Sequence, residues 1–200
     1  MEFHNRFSVL HEVNMDKVSD NERVTHVISD SICRGQGTKF AANRKGKKRC
    51  VTVIPGAKIH HIKEKVSCLK IDKDDCLVVN VGINDMHGGI PKRGASAEVV
   101  KKYFSLIKEM KDKSNKCVVM GILSRVNDGA CTRNEINILN GKIREFCRQE
   151  KLTFVDVENI IEGDRKYYVT DGIHLSNQGK KVLAGLINEG VYRACTSQGN

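Results

Sequence analysis

Apolar residues in this chain fall into two alternating rhythms. Short runs rich in β-branched residues occupy 24–29, 50–54, 77–81, 117–123 and 153–157. All but the last stop in a polar or glycine-bearing turn. Continuous apolar runs of this length read as strands buried on both faces. Between them the apolar positions recur at intervals of three and four, the period of an amphipathic helix. The first such set is Ile59, Ile62, Val66 and Leu69, and the second is Val99, Val100, Tyr103, Phe104, Ile107 and Met110. The third is Ile136, Leu139, Ile143, Phe146 and Cys147, and the last is Val182, Leu183, Leu186 and Ile187. Ser96 and Ser176 are expected N-caps, and Thr132-x-x-Glu135 has the pattern of a capping box. A further helix is expected over 32–44, weakened by Gly35 and Gly37.

Strand and helix therefore alternate five times. That order predicts an α/β fold: a three-layer α/β/α sandwich with a five-stranded parallel sheet, in the flavodoxin-like order 2-1-3-4-5. Residues 1–22 are polar without a sustained period and read as a tail or linker, with room for one short element around 7–13. Residues 23–200 read as one domain.

Composition narrows the setting. No run approaches the roughly 18 apolar residues of a membrane span, and the first residues lack the apolar stretch of a signal peptide. There are eight cysteines but no Cys-x-x-Cys pair, and several lie inside apolar segments, as Cys76 and Cys117 do. They read as reduced, mostly buried thiols in an intracellular chain, cytoplasmic or nuclear. The formal net charge is +10, which suits an anionic partner. Five of the six residues 44–49 are basic, and Lys45, Lys47, Lys48 and Arg49 are candidates for contact with RNA or an anionic membrane. A solvated loop is the other reading of the same run. His60 and His61 are adjacent and diverge on a helix, so no metal site is expected there.

In open parallel sheets ligands bind beyond the carboxyl ends of the strands. Four turns carry distinctive residues to that edge: Ser31, Gly56, Gly82-x-Asn84-Asp85 and Asp171-x-x-His174. A serine nucleophile needs a base, and a carboxylate to orient that base. Asp171 and His174 are spaced so that the carboxylate reaches one ring nitrogen while the other faces Ser31. An acyl-transfer intermediate also needs oxyanion donors, and the Ser31 N–H, the Gly56 N–H and the Asn84 side-chain amide are three candidates. Each piece alone has another reading: a turn, a cap, a packed histidine, a strand end.

Taken together, Ser29-Asp30-Ser31, Gly56, Gly82-Ile83-Asn84-Asp85 and Asp171-Gly172-Ile173-His174 resemble the ordered signature of SGNH (GDSL-type) hydrolases. The likeness spans roughly 24–190 and departs at Ser29, where the family usually has glycine. It implies Ser31 as nucleophile, His174 as base and Asp171 as its orienting acid. It also implies Ser31, Gly56 and Asn84 as the oxyanion hole. The substrate would be a small-molecule, sugar or lipid ester, with no metal or organic cofactor. A narrower similarity, carried by 53–59, 81–85 and 171–176, is to esterase-type domains of animal LINE retrotransposons, which accompany proteins that handle RNA. Two functions stand against each other. One is a serine esterase or deacylase acting on an acetyl or short acyl ester through an acyl-enzyme, with Arg125 as a candidate contact for an anionic substrate. The other is a catalytically weak module of the same fold that binds nucleic acid or anionic membrane through its basic surface. Oligomeric state is left open.

Overall fold

The computed structural model describes residues 10–13, 23–35, 49–86, 95–157 and 164–196. The β-branched runs form the strands β2 (Thr25–Ser29), β3 (Arg49–Val53), β4 (Cys76–Asn80), β5 (Lys116–Met120) and β6 (Thr153–Val155). They pair in parallel in the order β3-β2-β4-β5-β6, which is the five-stranded order expected. One strand is added. Leu10–Val13 forms β1, antiparallel to the outer edge of β3, with Leu10 opposite Val53 and Val13 opposite Cys50. It lies in the segment read as a tail, where room for one short element was expected around 7–13. Four residues of mixed polarity carry too little pattern to be told from a linker; the open edge of β3 is what recruits them.

The helices are α1 (Ile59–Ser67), α2 (Ile83–Met86), α3 (Ala95–Lys113), α4 (Ala130–Gln149) and α5 (Asn177–Thr196). The period of two along the strands sorts the core into two halves. Val27, Val78, Val118, Met120 and Val155 face α5 residues Leu183, Ile187 and Val191. Ile28, Leu77, Val79 and Val119 face the stripes of α1, α3 and α4 that the helical period marked.

Two expected caps are corrected. α3 starts at Ala95, which puts Ser96 inside the helix. α4 starts at Ala130 after an N-cap at Gly129, so Thr132 and Glu135 lie in the helix and form no capping box. At α4 the loop ending in Gly129 feeds the helix earlier than its polar residues suggest. Ser176 does cap α5: its Oγ accepts from the Gly179 N–H at 3.2 Å. The helix expected over 32–44 opens as a single 3-10 turn, Ser31–Cys33, and its part beyond residue 35 lies outside the described residues. Among the described residues no helix is long and apolar enough to cross a membrane. No disulfide joins the cysteines: Cys33, Cys76, Cys117 and Cys147 are buried, Cys50 and Cys195 half-buried, and Cys68 and Cys131 exposed.

Candidate active site

β2 ends in Ser29, fully buried in the position where glycine was the expected residue. Its carbonyl accepts from the Ile54 N–H at 2.8 Å, which fastens the end of β2 to the end of β3. Its hydroxyl lies beside the Cys33 thiol, so the extra side chain is housed within the core. Asp30 follows, buried, and caps the 3-10 turn by accepting from the Ile32 N–H at 3.0 Å. Ser31 opens that turn and is half-buried. It lines a narrow cleft with Asn84, Arg125, Ile83, Leu123 and Ile173.

The turn after β3 is built by Pro55 and Gly56. The Ala57 N–H closes it onto the Ile54 carbonyl at 3.0 Å, with Gly56 at φ +72°, a conformation that glycine adopts without strain. Gly82, at φ +121°, ends the β4 run. A Cβ there would lie 2.9 Å from Ile122 Cγ1 and 2.9 Å from Tyr103 Oη. Next comes Asn84, whose Nδ2 donates to the Ala57 carbonyl at 3.0 Å and whose Oδ1 accepts from Arg125 Nη2 at 3.1 Å. Asp85 Oδ2 accepts from the Ile59 N–H at 2.9 Å, which ties the start of α1 to the same turn. Among the described residues no hydrogen bond occupies the Ser31 N–H, the Gly56 N–H or the second N–H of Asn84.

The Asp171–His174 turn is held from three sides. Val169 N–H donates to the His174 carbonyl at 2.9 Å, Val126 N–H to the Gly172 carbonyl at 2.9 Å, and Tyr168 Oη to the Ser124 carbonyl at 2.8 Å. Asp171 Oδ1 accepts from the Ile173 and His174 N–H groups at 2.8 and 2.9 Å, and Oδ2 lies 2.7 Å from His174 Nδ1. The His174 ring and these two backbone donors hold the Asp171 carboxyl down at about 2, so it is ionised at neutral pH.

Burial pushes Asp30 up to about 7, against the Ile32 N–H, the Arg125 guanidinium and the His174 ring, which pull it down. Ile173, the residue before His174, lines the cleft with Ser31. Among the described residues no hydrogen bond joins the Ser31 hydroxyl to the His174 ring. Such contacts are often long in unliganded sites and tighten around substrate.

Asp30 and Asp85 stand within the sequence motifs, but residue type alone points to no role for them. Their signal was adjacency to Ser31 and Asn84; their burial and backbone partners are tertiary facts. Arg125, expected as a contact for an anionic substrate, spends one nitrogen on Asn84. Lys45, Lys47 and Lys48 lie outside the described residues. Arg49 opens β3 and is half-buried beside Cys76. Parallel strands of five residues separate their two ends by about 16 Å, so Arg49 sits on the rim opposite Ser31. Two larger grooves, of about 530 and 550 Å³, lie along β6 and between α3 and α4, apart from the Ser31 cleft. Among the described residues no group of three His, Cys, Asp or Glu side chains could hold a metal ion.

The model of the GDSL-like lipase/acylhydrolase family matches residues 30–182, from the residue before Ser31 to the first turns of α5. The chain belongs to the GDSL-like lipase/acylhydrolase family. It is a hydrolase of the acylhydrolase class. Solved GDSL-type structures share the fold. One is a lipolytic protein of the G-D-S-L family from Veillonella parvula, 14% identical, covering 86% of this chain and 99% of that one with a TM-score of 0.74. An acetylxylan esterase from Geobacillus stearothermophilus is 17% identical, with coverage of 88% and 96% and a TM-score of 0.69. A GDSL-like lipase from Bacteroides thetaiotaomicron is 16% identical, with coverage of 90% and 93% and a TM-score of 0.68. No curated protein matches the chain. The departure from the GDSL pattern at Ser29 is thus compatible with the family's sheet, because the hydroxyl finds room beside Cys33.

Proposed function

We propose that this chain hydrolyses carboxylic esters of acetyl or short acyl groups, with Ser31 as nucleophile, His174 as general base and Asp171 as its orienting carboxylate. The observation that carries the reading is the Asp171–His174 pair. An ionised carboxylate 2.7 Å from Nδ1 fixes the tautomer that leaves Nε2 free to accept a proton, on the rim where Ser31 lies. Ser31 Oγ would attack the ester carbonyl and pass its proton to Nε2. The carbonyl oxygen would take up the negative charge, facing the unoccupied N–H groups of Ser31, Gly56 and Asn84. Collapse would expel the alcohol, protonated by the imidazolium, and leave Ser31 acylated. Water, deprotonated by His174, would then release the acid. Acetyl esters are the first substrates to try, since the cleft beside Ser31 is narrow and a relative of the same fold is an acetylxylan esterase.

Hydrolysis of p-nitrophenyl acetate tests this directly. Ser31→Ala is expected to reduce turnover to background, and equal rates for the two proteins would end the assignment. Asp171→Asn is expected to lower kcat by about 10⁴, because the amide would select the wrong ring tautomer.

A further inference from the structure

We infer that Arg125 is a positioning residue that holds the Asn84 amide in the orientation an oxyanion donor needs. The inference rests on the reading of Asn84 as such a donor and adds a residue to it.

The side-chain amide of Asn84 has two ends, and the fold binds both. Nδ2 donates to the Ala57 carbonyl at 3.0 Å, and Oδ1 accepts from Arg125 Nη2 at 3.1 Å. Turning the amide over would set its oxygen against the Ala57 carbonyl oxygen and its NH₂ against the guanidinium. Neither of those contacts can form a hydrogen bond, since a carbonyl only accepts and a guanidinium only donates. The pair thus selects one of two orientations, and in that one the remaining Nδ2 hydrogen is free beside Ser31. The Ala57 bond alone would leave the amide able to pivot about its Cβ–Cγ axis. Arg125 removes that freedom. Its positive charge on Oδ1 also polarises the amide, which strengthens the N–H as a donor to a developing anion.

Arg125 is itself anchored from outside the cleft. Its N–H donates to Asp128 Oδ2 at 2.7 Å, and Arg133 Nε and Nη2 hold the Asp128 and Val126 carbonyls at 3.0 and 2.7 Å. The loop between β5 and α4 is therefore a rigid mount rather than a free arm. Arg125 Nε is buried and makes no hydrogen bond, so the guanidinium is placed for the contact to Asn84 at the expense of its own full satisfaction.

The test is a double-mutant cycle on p-nitrophenyl acetate hydrolysis, run with Arg125→Met, Asn84→Ala and both. Removing Arg125 alone is expected to lower kcat roughly 10- to 100-fold, the scale of a misplaced reacting group, with KM changed less than about twofold. In the Asn84→Ala background the same change is expected to cost almost nothing, because the amide it positions is gone. Fully additive losses, or an effect confined to KM, would overturn the inference and make Arg125 a group that meets substrate itself. Millimolar guanidinium added to an Arg125→Ala variant is expected to restore part of kcat; no rescue in a variant that melts like the wild type counts against it.

One measurement is independent of turnover. In the wild type the two hydrogens and the nitrogen of the Asn84 side-chain amide are expected at chemical shifts displaced from those of a freely exposed asparagine amide, moving towards the free values in Arg125→Met. Unchanged signals would overturn the positioning role even if the esterase is active. Ser31→Ala with wild-type turnover would instead overturn the esterase reading and leave the amide measurement standing.

Discussion

Asp30 is the side chain near the rim whose charge is hardest to carry. Burial raises its carboxyl from 3.8 to about 7. Between those values the folded chain keeps a proton that the unfolded chain has released. The slope of stability with pH is then negative across that window, and the penalty is complete above about 7. Three units correspond to roughly 4 kcal/mol as an upper figure. Asp30→Asn keeps an acceptor for the Ile32 N–H and removes the titration. Urea melts of both proteins at several pH values check it. Their stabilities are expected to be similar near pH 4, with the variant gaining a few kcal/mol by pH 8. Parallel curves would remove Asp30 as the cause. At this scale the sequence supplied names but not environments. Ser31, Asn84, Asp171 and His174 could be picked out as candidates because a hydroxyl, an amide, a carboxylate and an imidazole are chemical types. That Asp30 is buried, or that Arg125 turns to Asn84, depends on which loops meet.

Among the elements, α5 shows how neighbours override local preference. Gly179 sits in its first turns, where alanine would ordinarily be the better helix former by about 1 kcal/mol. A Cβ at 179 would run into the Tyr167 carbonyl oxygen and come within 3.1 Å of Leu175 Cδ2. Both belong to the segment that carries the Asp171–His174 turn, so the close approach of helix to turn depends on glycine. Gly185, on the exposed side of the same helix, has nothing within 4 Å. Gly179→Ala is expected to lose about 1–3 kcal/mol, as overpacked sites do, while Gly185→Ala gains up to about 1 kcal/mol. Thermal melts of the pair decide it, since a helix-propensity effect alone would stabilise both. The helical stripes were legible from period alone, as Ile136, Leu139 and Ile143 in α4 illustrate. The start of α4 was not, because a capping residue competes with whatever the incoming loop already fixes.

The whole molecule depends on how the sheet is closed off at its edges. Without β1, the outer N–H and C=O groups of β3 would face solvent, a template for pairing with another chain. A chain beginning at residue 23 is expected to melt several degrees lower and to associate at high concentration, as read by calorimetry and light scattering. A shortened chain as stable and monomeric as the full one would make β1 dispensable. The basic balance of +10 belongs to this scale too, but it describes a long-range field and not a site. Arg49 illustrates the difference: read with its neighbours as part of a basic run, it is drawn into a strand start beside Cys76.

The linear order of residues was enough to determine the strand–helix alternation, the parallel sheet and the edge that carries Ser31 and Asn84. Those follow from short continuous apolar runs, from the 3.6 period between them and from the direction of the chain, which are local properties. Tertiary structure alone decided what each side chain on that edge touches. The recruitment of β1 by β3 and the Arg125–Asn84 contact each join residues some forty positions apart in the chain. No window of neighbouring residues contains both partners of such a contact, so its energy appears only when the layers close.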